Sequence, residues 1–429
     1  MTKRNALVAL GGGPSPVINA SLLGVVKGCL ERGDVIGSVY AAKHGIEGVL
    51  LEELIDMRAE DPFELELLKN TPASGAVGTC RYKLGSDCEE DFERIVEVLR
   101  AHDIGYFFYI GGNDSMDTAD KVSKLAHSEG YELVVAGVPK TIDNDIGDEE
   151  FTIIDHTPGY GSAARYWANI VQDVNEENKG MCVSERVAVL QAMGRKTGFL
   201  TAAARLADPA REMPLQMYFA DAGHNLESLA ENVNSQIKRS GRCIVIVSEG
   251  FDVGSLGEAR DGFGHIEYGA SQTTALQVVV NHLNSCKLCA RGCSTGQVPG
   301  VLQRSNAIFR SKVDIKEAYE VGAYAVDMAL SEGTGYMATI LRESGKVYKP
   351  YYTKVDMRAV ANSVRHLPES WISDSRTDVT DAFLNYAMPL IGDGWPDSVT
   401  ENGLQRFARL KNTLIDKKAQ PYIPVRMRQ

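Results

Sequence analysis

The chain has 429 residues, more than one ordinary hydrophobic core organises, so two lobes sharing a cleft are the expectation. Apolar residues make up 44% and charged residues 24%, a globular composition, and the net charge of −12 argues against nucleic acid or a polyanionic membrane as partner. No apolar run approaches ~18 residues. Ala6 to Leu10 is too short an apolar stretch for a secretory leader and reads as a first strand, so a cytoplasmic protein is expected.

Strand–glycine–helix units fill the first half. Ala6–Leu10 runs into Gly11-Gly12-Gly13, with a helix expected from Pro16 and Ser15 as its N-cap. Tyr106–Ile110 is a second strand, ending at Gly111-Gly112, before a helix from about Ser115 to Glu129. Leu133–Val138 ends at Pro139-Lys140, Ala188–Gln191 at Met193-Gly194-Arg195, and Cys243–Val247 at Glu249-Gly250. Short β-branched strands alternating with helices predict α/β lobes whose mostly parallel sheets are covered on both faces. Polar and glycine-rich residues fall just after the strands, at the carboxyl edge where open α/β sheets bind ligands. Cys286, Cys289 and Cys293 form a C-x2-C-x3-C run without a fourth ligand, and are read as reduced loop thiols rather than a metal site. Leu404, Phe407, Leu410 and Leu414 have helical spacing and predict a packed helix over Gly403–Lys418.

Three post-strand segments carry chemistry. In Gly11-Gly12-Gly13-Pro14-Ser15-Pro16, tandem glycines let backbone N–H groups approach phosphate oxygens, although a tight turn would look the same. In Gly111-Gly112-Asn113-Asp114-Ser115, a carboxylate beside such a turn repels a phosphate unless a cation lies between them, which points to Mg²⁺; a helix cap is the plainer reading. Pro139-Lys140-Thr141-Ile142-Asp143-Asn144-Asp145 holds two carboxylates, an amide, a hydroxyl and a lysine, more than a turn requires.

In this order the three segments resemble the phosphofructokinase family, in which a glycine loop, a GGD-type loop and a T-I-D-N-D loop line one phosphoryl-transfer site. Thr79–Lys83, Glu185-Arg186, Met193–Arg195, Ser248–Gly250, Gly300–Arg304 and Gly322–Asp327 extend the resemblance, which runs from about Leu7 to Ile340. It implies two Rossmann-like three-layer α/β/α lobes. Residues 1–155 with about 303–355 would form the phosphoryl-donor lobe. About 156–302 with 356–429 would form the sugar-phosphate lobe and its C-terminal helical extension.

The resemblance also implies roles. Asp143 would be the base that accepts the proton of the sugar 1-hydroxyl. Thr141 would touch the transferring phosphoryl group, Arg195 would neutralise it, and Asp145 would help hold Mg²⁺. Ile142 would line the substrate pocket, Met193 and Gly194 would contact the sugar, and Glu249 would accept hydrogen bonds from its hydroxyls. Arg186 and Arg304 would bind the distal 6-phosphate, Arg186 from a neighbouring subunit, which implies a homodimer or homotetramer. Gly13 and Arg81 would face the donor. ATP-using members carry glycine at the positions of Asp114 and Lys140. Here a carboxylate fills the room of an α-phosphate, and an ammonium stands ready for a departing phosphate. A unit pair at ~4 Å and an effective dielectric near 20 is worth about 4 kcal/mol before desolvation, enough to decide donor choice. The implied substrates are pyrophosphate and fructose 6-phosphate.

Three positions depart from the family pattern. Asn113 replaces a metal-linked aspartate, leaving ligation to Asp114, Asp145 or a water, with Asn113 itself as a weaker oxygen donor. Val301 stands where histidine or tyrosine contacts the sugar phosphate, and Thr295 where another phosphate-binding arginine is usual. Lys83, Arg291 or Lys312 would then complete the pocket, or the acceptor would be sedoheptulose 7-phosphate. An ATP-dependent sugar-phosphate kinase and a non-catalytic sugar-phosphate sensor are the rivals. The first is opposed by Asp114 and Lys140, the second by the intact Thr141, Asp143, Asp145 and Arg195.

Overall fold

The computed structural model describes residues 3–428 apart from Ser86, Gly262, Phe263, Lys287 and Asn362. The strands in chain order are β1 (Arg4–Leu10), β2 (Ile36–Ala42), β3 (Leu54–Asp56), β4 (Ile104–Gly111), β5 (Val134–Pro139), β6 (Glu185–Ala192), β7 (Leu215–Tyr218) and β8 (Cys243–Ser248). They continue as β9 (Cys293–Gln297), β10 (Tyr336–Arg342) and β11 (Pro350–Asp356). One sheet has the order β11-β10-β5-β4-β1-β2-β3, the other β7-β8-β6-β9. Pairing is parallel except at the two margins of the larger sheet, β10–β11 and β2–β3.

The period-two geometry of a strand explains why both faces of the larger sheet are apolar. Val8, Leu10, Phe108 and Ile110 face one core, with Leu22 and Val25 of the helix Ile18–Glu31 and Val326 of the helix Lys312–Glu332. Leu7, Ala9, Phe107 and Tyr109 face the other, under the helices Glu89–Ala101 and Asn113–Ser128. The smaller sheet is covered likewise. Tyr160–Met181 and Asp381–Ile391 lie on one side, Leu226–Ser240 and Ala275–Ser285 on the other. The mostly parallel α/β architecture expected from the sequence is therefore present. No helix among the described residues is long and apolar enough to cross a membrane.

Three local expectations need correction. The first helix begins at Ile18 rather than Pro16, and Ser15 is not its cap: the Ser15 Oγ accepts a long 3.4 Å bond from the Val17 N–H. Cys293 opens β9 instead of lying in a loop. No helix forms over Gly403–Lys418. A short hairpin, Thr400–Glu401 with Leu404–Gln405, is followed by extended chain whose amides bond to the first lobe. Glu64 takes the Arg409 N–H, and Glu60 takes those of Lys411 and Asn412 (2.7 and 2.8 Å). Ile415 donates to the Leu54 carbonyl at 2.9 Å and Glu52 accepts from Lys418 and Ala419. Those partners replace the i→i−4 ladder a helix would need, and Leu404 remains 74% exposed. The tail thus runs along β3, not over the second sheet, where the sequence reading puts it.

Candidate active site

The carboxyl edges of the two sheets meet at a cavity of about 320 Å³. Gly12, Gly13, Asn113, Asp114, Lys140, Thr141, Ile142, Asp143 and Asp145 line it from the turns after β1, β4 and β5. Met193, Arg195 and Glu249 line it from the turns after β6 and β8, with Val301 and Arg304 beyond β9. Residues separated by almost 300 positions thus share one chamber because parallel sheets deliver all their strand ends to one edge.

The glycine turn makes room for cations. Gly12 has φ +74°, the left-handed region that glycine enters without cost. A Cβ at Gly13 would stand 2.7 Å from an Arg304 guanidinium nitrogen, so only glycine leaves the space Arg304 occupies. The buried Lys140 ammonium donates to the Gly13 carbonyl at 2.6 Å. Burial, and next the nearby Arg304 charge, lower its pKa to about 8. Arg81 reaches the same wall, where it is ion-paired with Glu267 and lies 3.5 Å from Asp261.

Opposite charges face each other across the floor. Burial and the Asp145 carboxylate push Asp143 up to about 6, against the pull of Arg195 and Lys140. Burial works against the Arg195 charge, yet Asp143 and Asp145 outweigh it and raise the guanidinium pKa. Arg195 holds φ +51° and its N–H donates to the Glu249 carboxylate at 2.8 Å, so that turn is fixed by backbone. Burial raises Glu249 to about 7 in spite of this bond.

The oxygen-rich donor set fits Mg²⁺. Asp114 and Asp145 carry carboxylates into the cleft, and Asn113 donates its amide nitrogen to the Ser363 carbonyl, which leaves only its oxygen for a cation. Among the described residues no three acidic, His or Cys side chains gather closely enough for an all-protein cage. A small, reluctantly dehydrated ion needs none, because it keeps waters and takes oxygens from its phosphate ligand.

Several predicted residues lie elsewhere. Arg186 sits at the far end of β6, where its guanidinium donates to the carbonyls of Gly241 (2.7 Å) and Arg291. Gly194, at φ +106°, shapes the turn without facing the cavity. Thr295, Lys83, Arg291 and Lys312 are not among the described residues that line it, and Lys312 pairs instead with Asp397. Val301 is 57% exposed at the rim. The cysteines are all free: the Cys286 Sγ is 3.3 Å from His282 Nε2, while Cys289 and Cys293 bond the Asn234 and Ser184 carbonyls.

Sequence reading missed other lining residues. Asp261, His265, Ile266, Glu267 and Tyr268 form a roof contributed by the connection between β8 and the helix Ala275–Ser285. His265 Nε2 stands 3.9 Å from Asp114 Oδ2. No strand precedes these residues directly, so the post-strand signal fails there. Gln303, in the Gly300–Arg304 segment, is a further one: its side-chain oxygen accepts from the Met193 N–H (3.1 Å) and the Trp167 indole (2.8 Å).

Residues 5–329 match the phosphofructokinase family, and the chain belongs to it. It is similar to pyrophosphate–fructose 6-phosphate 1-phosphotransferases of Halomonas elongata and Methylococcus capsulatus, 37% identical to each over 429 residues. Those alignments cover 97% of this chain and 99% and 98% of the relatives. Among solved structures it resembles pyrophosphate-dependent phosphofructokinase from Marinobacter aquaeolei, with a TM-score of 0.86 and 37% identity, covering 98% of this chain and 99% of that one.

Proposed function

We propose that the chain transfers a phosphoryl group from pyrophosphate to the 1-hydroxyl of fructose 6-phosphate, giving fructose 1,6-bisphosphate and phosphate, reversibly and in the cytoplasm. The observation that supports this reading is one shared cavity, lined by Asp114 and the buried Lys140 together with Asp143 and Arg195. Asp114 and Lys140 are proposed to face the donor, and Asp143 and Arg195 the transferring group.

Asp143 takes the 1-hydroxyl proton as that oxygen bonds to phosphorus, and a carboxylate lifted to about 6 is a better base than an ordinary one. Arg195 neutralises the moving phosphoryl group from one side and Thr141 contacts it from the loop. The leaving phosphate keeps its charge, since no nucleotide carries it away, and Lys140 with Arg81 balances it. Asp114, Asp145 and the Asn113 oxygen would hold Mg²⁺, which would supply further charge neutralisation. Arg304 and Glu249 hold the sugar phosphate, with Ile142 and Met193 as apolar walls.

Assay of the purified protein with Mg²⁺ and fructose 6-phosphate, offering pyrophosphate or ATP separately, tests the reading. Turnover with pyrophosphate is expected. Turnover with ATP alone, or with neither donor, contradicts it.

Arg186 is proposed to serve a neighbour's sugar phosphate, which its distance from its own cleft supports. The active species is then a dimer or tetramer. Sedimentation of a fully active monomer would remove that assignment.

A further inference from the structure

The extended stretch Ser363–Leu367 lies between the lobes and bonds to three of the loops described above. Its Ser363 carbonyl accepts from the Asn113 side chain. The Arg365 N–H donates to the Asp145 carbonyl at 2.7 Å, and the Leu367 N–H donates to the Thr197 carbonyl at 2.7 Å. Thr197 in turn joins two loops, because its hydroxyl lies 2.8 Å from the Gly194 carbonyl and 3.2 Å from that of Asp143.

Arg365 is the centre of this arrangement. It is fully buried, and all three guanidinium nitrogens are used. Nε donates to the Asn144 carbonyl (3.0 Å), Nη2 to the Asn144 side-chain oxygen (2.7 Å), and Nη1 to the Ile154 carbonyl (2.6 Å). The ring of Phe151 lies 4.5 Å from the guanidinium carbon. Asn144 itself has φ +57° and is pinned again by its amide, which donates to the Tyr386 hydroxyl at 2.8 Å. A left-handed residue between Asp143 and Asp145 sets the directions of both carboxylates, and Arg365 holds it there, with the Thr157 N–H adding a 3.1 Å bond to the Asn144 side-chain oxygen. A buried guanidinium whose fork matches three acceptors is a rigid clamp, and lysine has no such fork.

We infer that Arg365 is the positioning residue of the Thr141–Asp145 loop, and that Ser363–Leu367 fixes the mutual register of the Asn113, Asp143 and Arg195 loops. The inference rests on Asp143 being the proton acceptor proposed above. It predicts that loosening the clamp disturbs the reaction more than the binding of either substrate, because near-attack geometry tolerates little displacement.

The test compares Arg365→Lys and Asn144→Gly with the unaltered enzyme. Asn144→Gly keeps the left-handed backbone accessible but removes the side-chain anchor, so it serves even if Arg365→Lys does not fold. Expected is a fall in kcat of about 10-fold or more, per folded active site, with KM for fructose 6-phosphate and for pyrophosphate changed less than about 3-fold. The double variant should lose little beyond the worse single one, since the two residues bond each other directly, through both the carbonyl and the side-chain oxygen of Asn144. Guanidinium ion added to an Arg365→Gly enzyme should restore part of kcat. An unchanged kcat in both single variants overturns the inference, as does a loss accounted for entirely by unfolded protein. Asp143→Asn is run alongside. If that variant keeps full activity, the base assignment fails; if it is inactive while both clamp variants are normal, only the positioning role fails.

Discussion

The two edges that form the cleft are built on different physical terms. The edge of the larger sheet is loaded with ionisable groups held close together: Lys140, Asp143 and Asp145 lie in one loop, with Asp114 facing them. Burial perturbs these charges first: with Arg304 it lowers Lys140, and with Asp145 it raises Asp143. The edge of the smaller sheet is held by backbone. The Arg195 N–H bonds Glu249, the Met193 N–H bonds Gln303, and Gly194 and Arg195 both sit at positive φ. On the proposed function, an edge that selects a donor by charge needs ionised groups out of water, whereas one that seats a sugar needs fixed directions more than charge.

The largest effect that bears on this contrast is loss of the base. Asp143→Asn keeps the shape of the charged edge and removes its proton acceptor, so kcat should fall roughly 10²–10⁴-fold with a much smaller change in KM. Steady-state kinetics under chemistry-limited conditions check it. A variant retaining more than about a third of kcat removes Asp143 from that role.

A smaller effect concerns stability beneath the same loop. His156 is fully buried between the carboxylates of Asp155 (2.8 Å) and Glu317 (2.7 Å), and the Asp155 backbone carbonyl accepts from the Tyr386 hydroxyl that also meets Asn144. Burial opposes the imidazolium, but the two carboxylates raise its pKa to about 9. A group whose folded pKa is raised contributes stability that is complete below its unfolded value near 6.5 and is lost as pH climbs through 9. The loss should be on the order of 3 kcal/mol between pH 6 and pH 10. Urea midpoints across that range measure it, and His156→Gln should flatten the dependence. A midpoint that rises with pH in the unaltered protein contradicts the imidazolium.

What the sequence revealed follows the same division. The edge of the larger sheet was legible because Gly11–Gly13, Gly111–Asp114 and Lys140–Asp145 each come directly at the end of an apolar strand, so local order alone marks them. The roof residues Asp261, His265 and Glu267 follow no strand and escaped notice. Arg365 acts through carbonyls more than 200 positions away, a relation that no spacing encodes. The tail failed for a related reason: Leu404, Phe407, Leu410 and Leu414 have helical spacing, but Glu52, Glu60 and Glu64 of the first lobe take the backbone amides that a helix would have used.

Donor choice is the central claim, and the ratio of kcat/KM for pyrophosphate to that for ATP measures it most directly. The unaltered enzyme should favour pyrophosphate by at least ~10²-fold, since a charge contact of about 4 kcal/mol before desolvation is more than enough for that ratio. Asp114→Gly should admit ATP while weakening pyrophosphate turnover, and Lys140→Gly should lower kcat with pyrophosphate sharply. The Asp114→Gly, Lys140→Gly double variant should shift the ratio toward ATP further than either change alone. An unaltered enzyme that prefers ATP, or a double variant whose ratio equals that of the unaltered enzyme, would contradict the account.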